Sequence, residues 1–387
     1  MGSQSQYVVV LKGSSAARFA PDDYLEARGF PSAAGPINVV FRTRHVDEGF
    51  SVPIPRELWA DARGCAASLD SAVDAFANAA HSLASIVALS ANSAVDELEV
   101  HLAYNNTPGL SEREFFQSFL PDESGMPWQG RRTNVEATIA LLRALASHPE
   151  AERLSRAVAQ YGVTLANWRP GRETLALAHV YMGMEALTKA ALRQQCKTAR
   201  LAEGDLAREW GVREKELEPE VRRRILFQGD DECYKVARSA SDGLEHGFMP
   251  LGEVHRRARK VRDQSASYLR SAIFVLADVD QRARRVLLGP PFDSPLGSWR
   301  YSKYIRGRLL GATDELADEG QEYPVMHWKA SVKSVSRKPS GDYNIEVTEK
   351  LTASLGKGLS FQPESFEVWG PGKGRGRAAT EPEGGGD

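Results

Sequence analysis

A run of apolar residues at helical spacing over residues 150–288 constrains this chain more than any other feature. Apolar side chains recur there every three or four residues, the period of a helix with one buried face. Breaks fall at residues 169–172, at glycines and a proline within 199–227, and at 250–252. The pattern therefore predicts several helices that pack as a bundle, not a parallel sheet.

The flanking regions are different in character. β-rich runs at 7–11, 37–42 and 98–104 accompany a long helical pattern from Pro55 to Val87, and residues 21–26 predict one helical turn. Strand-like runs, including a hairpin, return after Gly289. We expect an α+β fold, mainly α, in four parts: an N-terminal α+β module of few strands around one long helix (1–130), a helical bundle (131–288), a small β-rich module (297–370) and a disordered tail (371–387).

Composition excludes several classes of protein. A formal net charge of −2 restricts any nucleic-acid site to a local patch. The three cysteines are far apart in the sequence: Cys65, Cys196 and Cys233. They fit a reducing cytoplasm without a disulfide partner, and we expect no zinc site and no cofactor. The longest apolar region, 66–95, contains Asp70 and Asp74, so we expect a buried helix and no membrane span.

Two segments of the bundle carry most of the functional information. The first, 179–192, is an apolar helix with one acid, Glu185, at the border of its apolar stripe. This acid either pairs with a neighbouring helix, the interpretation we favour, or faces a functional site. The second segment, 233–247, follows Asp230, which is a suitable helix N-cap.

In the second segment Arg238, Asp242 and His246 recur every four residues, opposite an apolar face. They form one polar stripe if the helix continues through Gly243. If the helix stops there, His246 lies in the following loop. Glycine disfavours a helix by only about 1 kcal/mol, so the sequence leaves both possibilities open.

These segments resemble the HEPN superfamily, most closely its Apea-like branch. The resemblance rests on Met-Glu-Ala-Leu at 184–187, Tyr-x-x-x-Arg-Ser at 234–239 and the following His246-Gly247. It implies a helical domain, a homodimer and metal-independent RNA cleavage, in a bacterial toxin or anti-phage defence protein. Arg238 would bind the phosphate, His246 would transfer protons and Asp242 would orient His246. Seven residues separate Arg238 and His246, more than this family usually has.

A single long helix is expected over 253–288, with cations crowded at its start: Arg256, Arg257, Arg259 and Lys260. These cations either follow an RNA backbone or form a solvated face balanced by acids at 214–220. Two functions therefore stay open, an RNA-cleaving enzyme and a non-catalytic HEPN-like interaction or RNA-binding protein. A small-molecule enzyme ranks lower, because the sequence has no nucleotide loop, metal cluster or nucleophile elbow.

Overall fold

The computed structural model of the chain describes residues 5–46, 49, 52–117, 130–169, 171–297, 302–313, 316–320, 324–339, 343–370 and 373–377. The chain divides into two compact units, one of Met1–His45 with Pro55–Trp299 and one of Val46–Ile54 with Arg300–Asp387. The fold is mixed α+β, as predicted. The expected N-terminal module and helical bundle both lie in the first unit, and a boundary between them at residue 131 stays a prediction.

The first unit contains a six-stranded antiparallel sheet. Its strands are β1 (Ser5–Gly13), β3 (Leu25–Ser32), β4 (Gly35–Val46), β5 (Ile54–Ala66), β6 (Glu99–Asn105) and β7 (Phe115–Gln117). Two further strands, β2 (Ala17–Arg18) and β8 (Arg131–Arg132), form a separate short parallel pair. The sheet has the order β3-β4-β5-β1-β6-β7. Strands β1, β4 and β6 confirm the predictions at 7–11, 37–42 and 98–104.

Two local predictions in this region are wrong. The helix expected from Pro55 begins only at Leu69, because residues 54–66 form β5. Leu58, Ala60 and Ala62 are buried at alternate positions of that strand, and β5 pairs with β1 along its length. Small residues fit helical and strand spacing equally here, so pairing decides. Residues 21–26 form a turn that leads into β3, not a helical turn.

Helices make up the rest of the first unit, and they confirm the bundle pattern at 134–146, 150–168 and beyond. They are α1 (Leu69–Ala91), α2 (Val135–Ser147), α3 (Ala151–Ala166), α4 (Glu173–Ala199), α5 (Glu203–Glu209), α6 (Glu214–Val221), α7 (Asp231–His246), α8 (Leu251–Leu276) and α9 (Gln281–Leu288). A π-helical turn, Arg222–Leu226, directly follows α6.

Helix α1 is the one helix in the described part of the chain that is long and apolar enough to cross a membrane. Its start is fixed by a reciprocal cap: the Ser68 hydroxyl accepts a hydrogen bond from Ser71 N–H at 3.2 Å, and the Ser71 hydroxyl accepts one from Ser68 N–H at 3.1 Å. The helix packs on β1 and against α3, and 61% of its apolar window is buried inside the protein. It therefore serves as a core helix of the first unit.

The long helix predicted over 253–288 is in fact two helices, α8 and α9. Asp278 between them has a left-handed backbone, with φ of 53°. Asp280 then caps α9, its side chain accepting a hydrogen bond from Ala283 N–H at 2.9 Å. Aspartate tolerates the left-handed region and favours helix N-caps, which explains the break at this pair.

A buried arginine on α8 joins distant parts of the first unit. Arg270 is 2% exposed and donates hydrogen bonds to four backbone carbonyls: Leu89 at 3.0 Å, Ser90 at 3.0 Å, Leu287 at 2.7 Å and Phe292 at 2.9 Å. Burial lowers the pKa of Arg270 to about 10. These bonds connect the end of α1 to α8 and to the region of α9.

The second unit is rich in β structure, as the sequence predicted. Its strands are β9 (Ser302–Leu310), β10 (Val325–Arg337), β11 (Tyr343–Ser354), β12 (Ser360–Gly370) and β13 (Lys373–Arg377). Strands β10 and β11 form the expected hairpin, and the other three form a sheet of order β13-β12-β9. Part of the expected disordered tail is thus a strand, because backbone pairing with β12 does not depend on its Gly-rich side chains. Residues 378–387 lie outside the described residues.

Candidate functional site

Helix α7 settles the question that the sequence left open about Gly243. The Asp230 side chain accepts a hydrogen bond from Cys233 N–H at 2.9 Å, which confirms the predicted N-cap. The helix then runs through Gly243 and ends at His246, followed by Gly247 with φ of 65°. A Cβ atom on Gly243 would lie 3.1 Å from the Met249 Cβ, so glycine allows the loop after α7 to pack closely.

Arg238, Asp242 and His246 therefore lie along one side of a continuous helix. Arg238 Nε is 3.6 Å from Asp242 Oδ2, in an ion pair whose side chains are 51% and 40% exposed. His246 is exposed and makes no hydrogen bond within the described ranges. Among the residues that the structure describes, Asp242 forms an ion pair with Arg238 alone, so Asp242 orients the arginine here. The expected contact from Asp242 to His246 is not formed in the described part of the chain.

The opposite face of α7 holds the helix in the bundle. Cys233, Ala237 and Ala240 are buried on that face, as predicted. The Cys233 thiol lies 3.3 Å from the Ser265 hydroxyl of α8, and burial raises the pKa of this thiol. Packing and polar contacts of α7 are thus separated by face, and substitutions on the polar side leave the core untouched.

Glu185 of α4 lies near this polar side. We expected it to pair with a neighbouring helix, but it is exposed and forms no ion pair or hydrogen bond with any residue that the structure describes. Desolvation by the neighbouring helices raises the pKa of Glu185; Arg222 opposes that rise, and Glu245 and Asp242 reinforce it. The unpaired carboxylate therefore faces the same region as the α7 stripe.

A cluster that the sequence did not reveal lies between α4, the π-helical turn and α7. It consists of Tyr181, Arg222, Tyr234 and Arg238, which we call the arginine–tyrosine cluster. Burial raises the pKa of Tyr181; Arg222 and Arg238 oppose that shift, and Tyr234 reinforces it. The Tyr181 hydroxyl thus lies within electrostatic range of the other three side chains. The four-residue step from Tyr234 to Arg238 was the available sequence signal.

The cations at the start of α8 are already paired inside the chain. Each of the four predicted RNA-binding side chains has an acidic partner: Glu253 for Arg256 and Arg257, Glu173 for Arg259, and Glu232 for Lys260. These acids come from three helices and not from residues 214–220. Such partly exposed pairs contribute only about 0–1 kcal/mol each, so a phosphate could still replace the acids. Their RNA-binding role stays a prediction.

Groups of three or more metal-binding side chains are absent from the described ranges. Comparison with protein-family models, with curated proteins and with solved structures gave no significant match to this chain. The argument for function therefore rests on the residues and geometry above.

Proposed function

We propose that this protein is a metal-independent endoribonuclease of HEPN type that uses the exposed polar side of α7. The unbroken course of α7 through Gly243 carries the proposal, because it aligns Arg238, Asp242 and His246 on a side that the core does not use. A histidine and an arginine held this way on a rigid helix suit proton transfer and phosphate binding.

The reaction would proceed by attack of the RNA 2′-oxygen on the adjacent phosphorus. The new O–P bond forms as the bond from phosphorus to the 5′-oxygen breaks, which leaves a 2′,3′-cyclic phosphate and a 5′-hydroxyl. The 2′-hydroxyl loses a proton and the leaving 5′-oxygen gains one, and His246 serves one of these transfers. Arg238, oriented by Asp242, stabilises the charge that develops on the phosphate oxygens.

The proposed working unit is a homodimer acting on RNA. Arg238 and His246 are eight positions apart in the helix, which is about 12 Å along its axis, so one chain presents them about two turns apart. A two-fold axis across α7 would bring Arg238 of one copy beside His246 of the other. The resemblance to HEPN proteins implies a toxin or an anti-phage defence protein, and the three free thiols suit a reducing cytoplasm.

Product chemistry tests this proposal directly. The wild-type protein, in EDTA, should convert a single-stranded RNA to fragments with 2′,3′-cyclic phosphate ends and leave an all-DNA strand intact. His246→Ala should lose cleavage about 100- to 10,000-fold, the usual contribution of a positioned acid or base. His327→Ala is the matched control, since His327 is an exposed histidine of the second unit. Cleavage that EDTA abolishes, or full activity in His246→Ala, would contradict the proposal.

One observation favours the alternative, a non-catalytic HEPN-like interaction protein. Phe248 and Leu251, directly beyond the α7 stripe, are 63% and 61% exposed. Exposed large apolar side chains that lie near each other are typical of protein–protein contact surfaces. Under this alternative the protein would bind a partner or RNA stably without cleaving it, and Phe248→Ser with Leu251→Ser would weaken the complex. Unchanged binding in that double variant would rule the alternative out.

A further inference from the structure

Arg222 differs from the two arginines that follow it. Arg223 pairs with Glu220 and Asp231, and Arg224 pairs with Glu220. Arg222 forms no ion pair with any described residue. Among the described residues its side chain hydrogen-bonds Thr188 alone, from Nη1 to the hydroxyl at 3.3 Å, while its Nε–H is buried and has no acceptor there.

The hydroxyl of Tyr234 is a second buried group without a partner. Tyr234 is 5% exposed, and its oxygen makes no hydrogen bond with any residue that the structure describes. It nonetheless lies close enough to Arg238 to be the largest cause of that arginine's raised pKa. A buried polar group without a partner destabilises the fold, so most such groups in proteins have one.

These side chains share one place in the fold. Arg222 lies on the π-helical turn, Tyr181 on α4, and Tyr234 and Arg238 on α7, and the three elements pack against each other. Insertions of π-helix occur frequently at functional sites. The groups without a partner in the cluster are the Arg222 Nε–H and the Tyr234 hydroxyl, and both can donate a hydrogen bond. The missing partner is therefore a hydrogen-bond acceptor. Because the cluster contains two guanidinium groups, an anionic acceptor is favoured.

We propose that the arginine–tyrosine cluster is a phosphate-binding site, with Arg222 and Tyr234 as binding residues that complement Arg238. The planar guanidinium of Arg222 would donate from its free Nε–H to a phosphate oxygen, and the Tyr234 hydroxyl would donate to another. The ligand is the phosphate group, either free or in a nucleic-acid backbone. Its part in RNA cleavage rests on the proposed function, whereas phosphate binding itself can be measured without cleavage.

Acidic side chains around the cluster set its charge balance. Glu185, Asp242 and Glu245 lie in the same electrostatic neighbourhood, and Asp242 already pairs with Arg238. Glu185 has no partner among the described residues, so it repels an incoming phosphate. Removing that charge alone should therefore strengthen phosphate binding, an effect opposite to that expected for a merely structural residue.

Calorimetric titration of the full chain with inorganic phosphate, and separately with a short oligothymidylate that lacks the attacking 2′-hydroxyl, tests the site. Arg222→Gln should weaken binding about 10- to 100-fold, the range for a hydrogen bond to a charged group. Arg224→Gln, two residues away and stacked on Trp210, is the matched control and should bind as the wild type does. Glu185→Gln should bind a few-fold more tightly.

Tyr234→Phe provides a second test of the site if Arg222→Gln does not fold. The Tyr234 hydroxyl makes no hydrogen bond to a residue that the structure describes, so the melting temperature of this variant should match the wild type while its phosphate affinity falls about 2- to 10-fold. Saturable binding of inorganic phosphate in competition with the oligothymidylate would assign one site to both forms of phosphate; binding of the oligothymidylate alone would restrict it to the nucleic-acid backbone.

Two results would overturn the site: no saturable binding of either probe to the wild type, or wild-type affinity in both Arg222→Gln and Tyr234→Phe. These outcomes are separable from the fate of the proposed nuclease. Phosphate binding that depends on Arg222, without any RNA cleavage, would uphold the site and contradict the nuclease. RNA cleavage with Arg222-independent phosphate binding would do the reverse.

Discussion

Replacing Arg270 with methionine should destabilise the whole first unit. In the wild type, one guanidinium group satisfies four backbone carbonyls, at Leu89, Ser90, Leu287 and Phe292. The methionine side chain fills a similar volume but donates no hydrogen bond. The carbonyls of Ser90 and Leu287 would then lose their donor, whereas Asn92 would still donate to the other two, from its backbone N–H to Leu89 at 3.3 Å and from its side-chain amide to Phe292 at 2.9 Å.

The size of the effect follows from two opposing contributions. Each of the two carbonyls left without a partner costs about 1–3 kcal/mol, or about 2–6 kcal/mol together, and removing the buried guanidinium returns part of this as its desolvation cost. The net loss in the free energy of unfolding should be about 2–4 kcal/mol, because the bonds from the charged guanidinium to the other two carbonyls are lost as well. At about 2–4 °C per kcal/mol, the melting temperature should fall by roughly 4–16 °C.

Thermal unfolding followed by circular dichroism measures this loss, with Arg282→Met as the control. Arg282 is an exposed residue of α9 without an ion pair in the described ranges, so its substitution should change the free energy of unfolding by no more than about 0.5 kcal/mol. A melting temperature for Arg270→Met equal to that of Arg282→Met would refute the reasoning that this arginine joins α1 to α8 and α9.

Two further predictions concern pH and salt. Burial raises the pKa of Tyr161 to about 12, so between pH 10 and 12 the unfolded chain releases a phenolic proton that the folded chain keeps, and stability falls as pH rises. Tyr161→Phe should make this fall shallower. Urea unfolding that gives both proteins the same slope of unfolding free energy against pH would contradict this. Changing Arg256 and Arg257 to alanine should weaken RNA binding and reduce the slope of log affinity against log salt concentration by about 0.7 per lost phosphate contact. The bound RNA should still be cleaved. An unchanged slope would show that these two arginines pair with Glu253 and do not contact RNA.

Local sequence patterns predicted most helices but not the contacts between distant elements. Periodicity and the Asp230 cap located α7, because both signals lie within a few residues of each other. The same periodicity failed over residues 54–66, where pairing with β1 outweighed a spacing that alanines fit in either conformation. The break at Asp278 was missed because a single left-handed residue interrupts an otherwise helical pattern.

The candidate site was predictable only in part for the same reason. The α7 stripe comes from four-residue spacing on one helix, so the sequence could propose it, subject to Gly243. The acids that pair with the α8 cations come from other parts of the chain, as Glu173 does for Arg259, and no local pattern indicates them. Arg222 stands out only once the structure shows that Arg223 and Arg224 share Glu220, while Arg222 forms no ion pair with a described residue.

Mixing two inactive variants tests the central claim most directly, because contamination by another ribonuclease cannot mimic the result. Arg238→Ala keeps His246, and His246→Ala keeps Arg238, so each variant alone should lack RNA cleavage. After unfolding and refolding together, half of the dimers would be mixed, and each mixed dimer would hold one complete site across the two-fold axis. The account predicts that the mixture recovers about a quarter of the wild-type cleavage rate. A mixture as inactive as its components, or a single variant as active as the wild type, would contradict it.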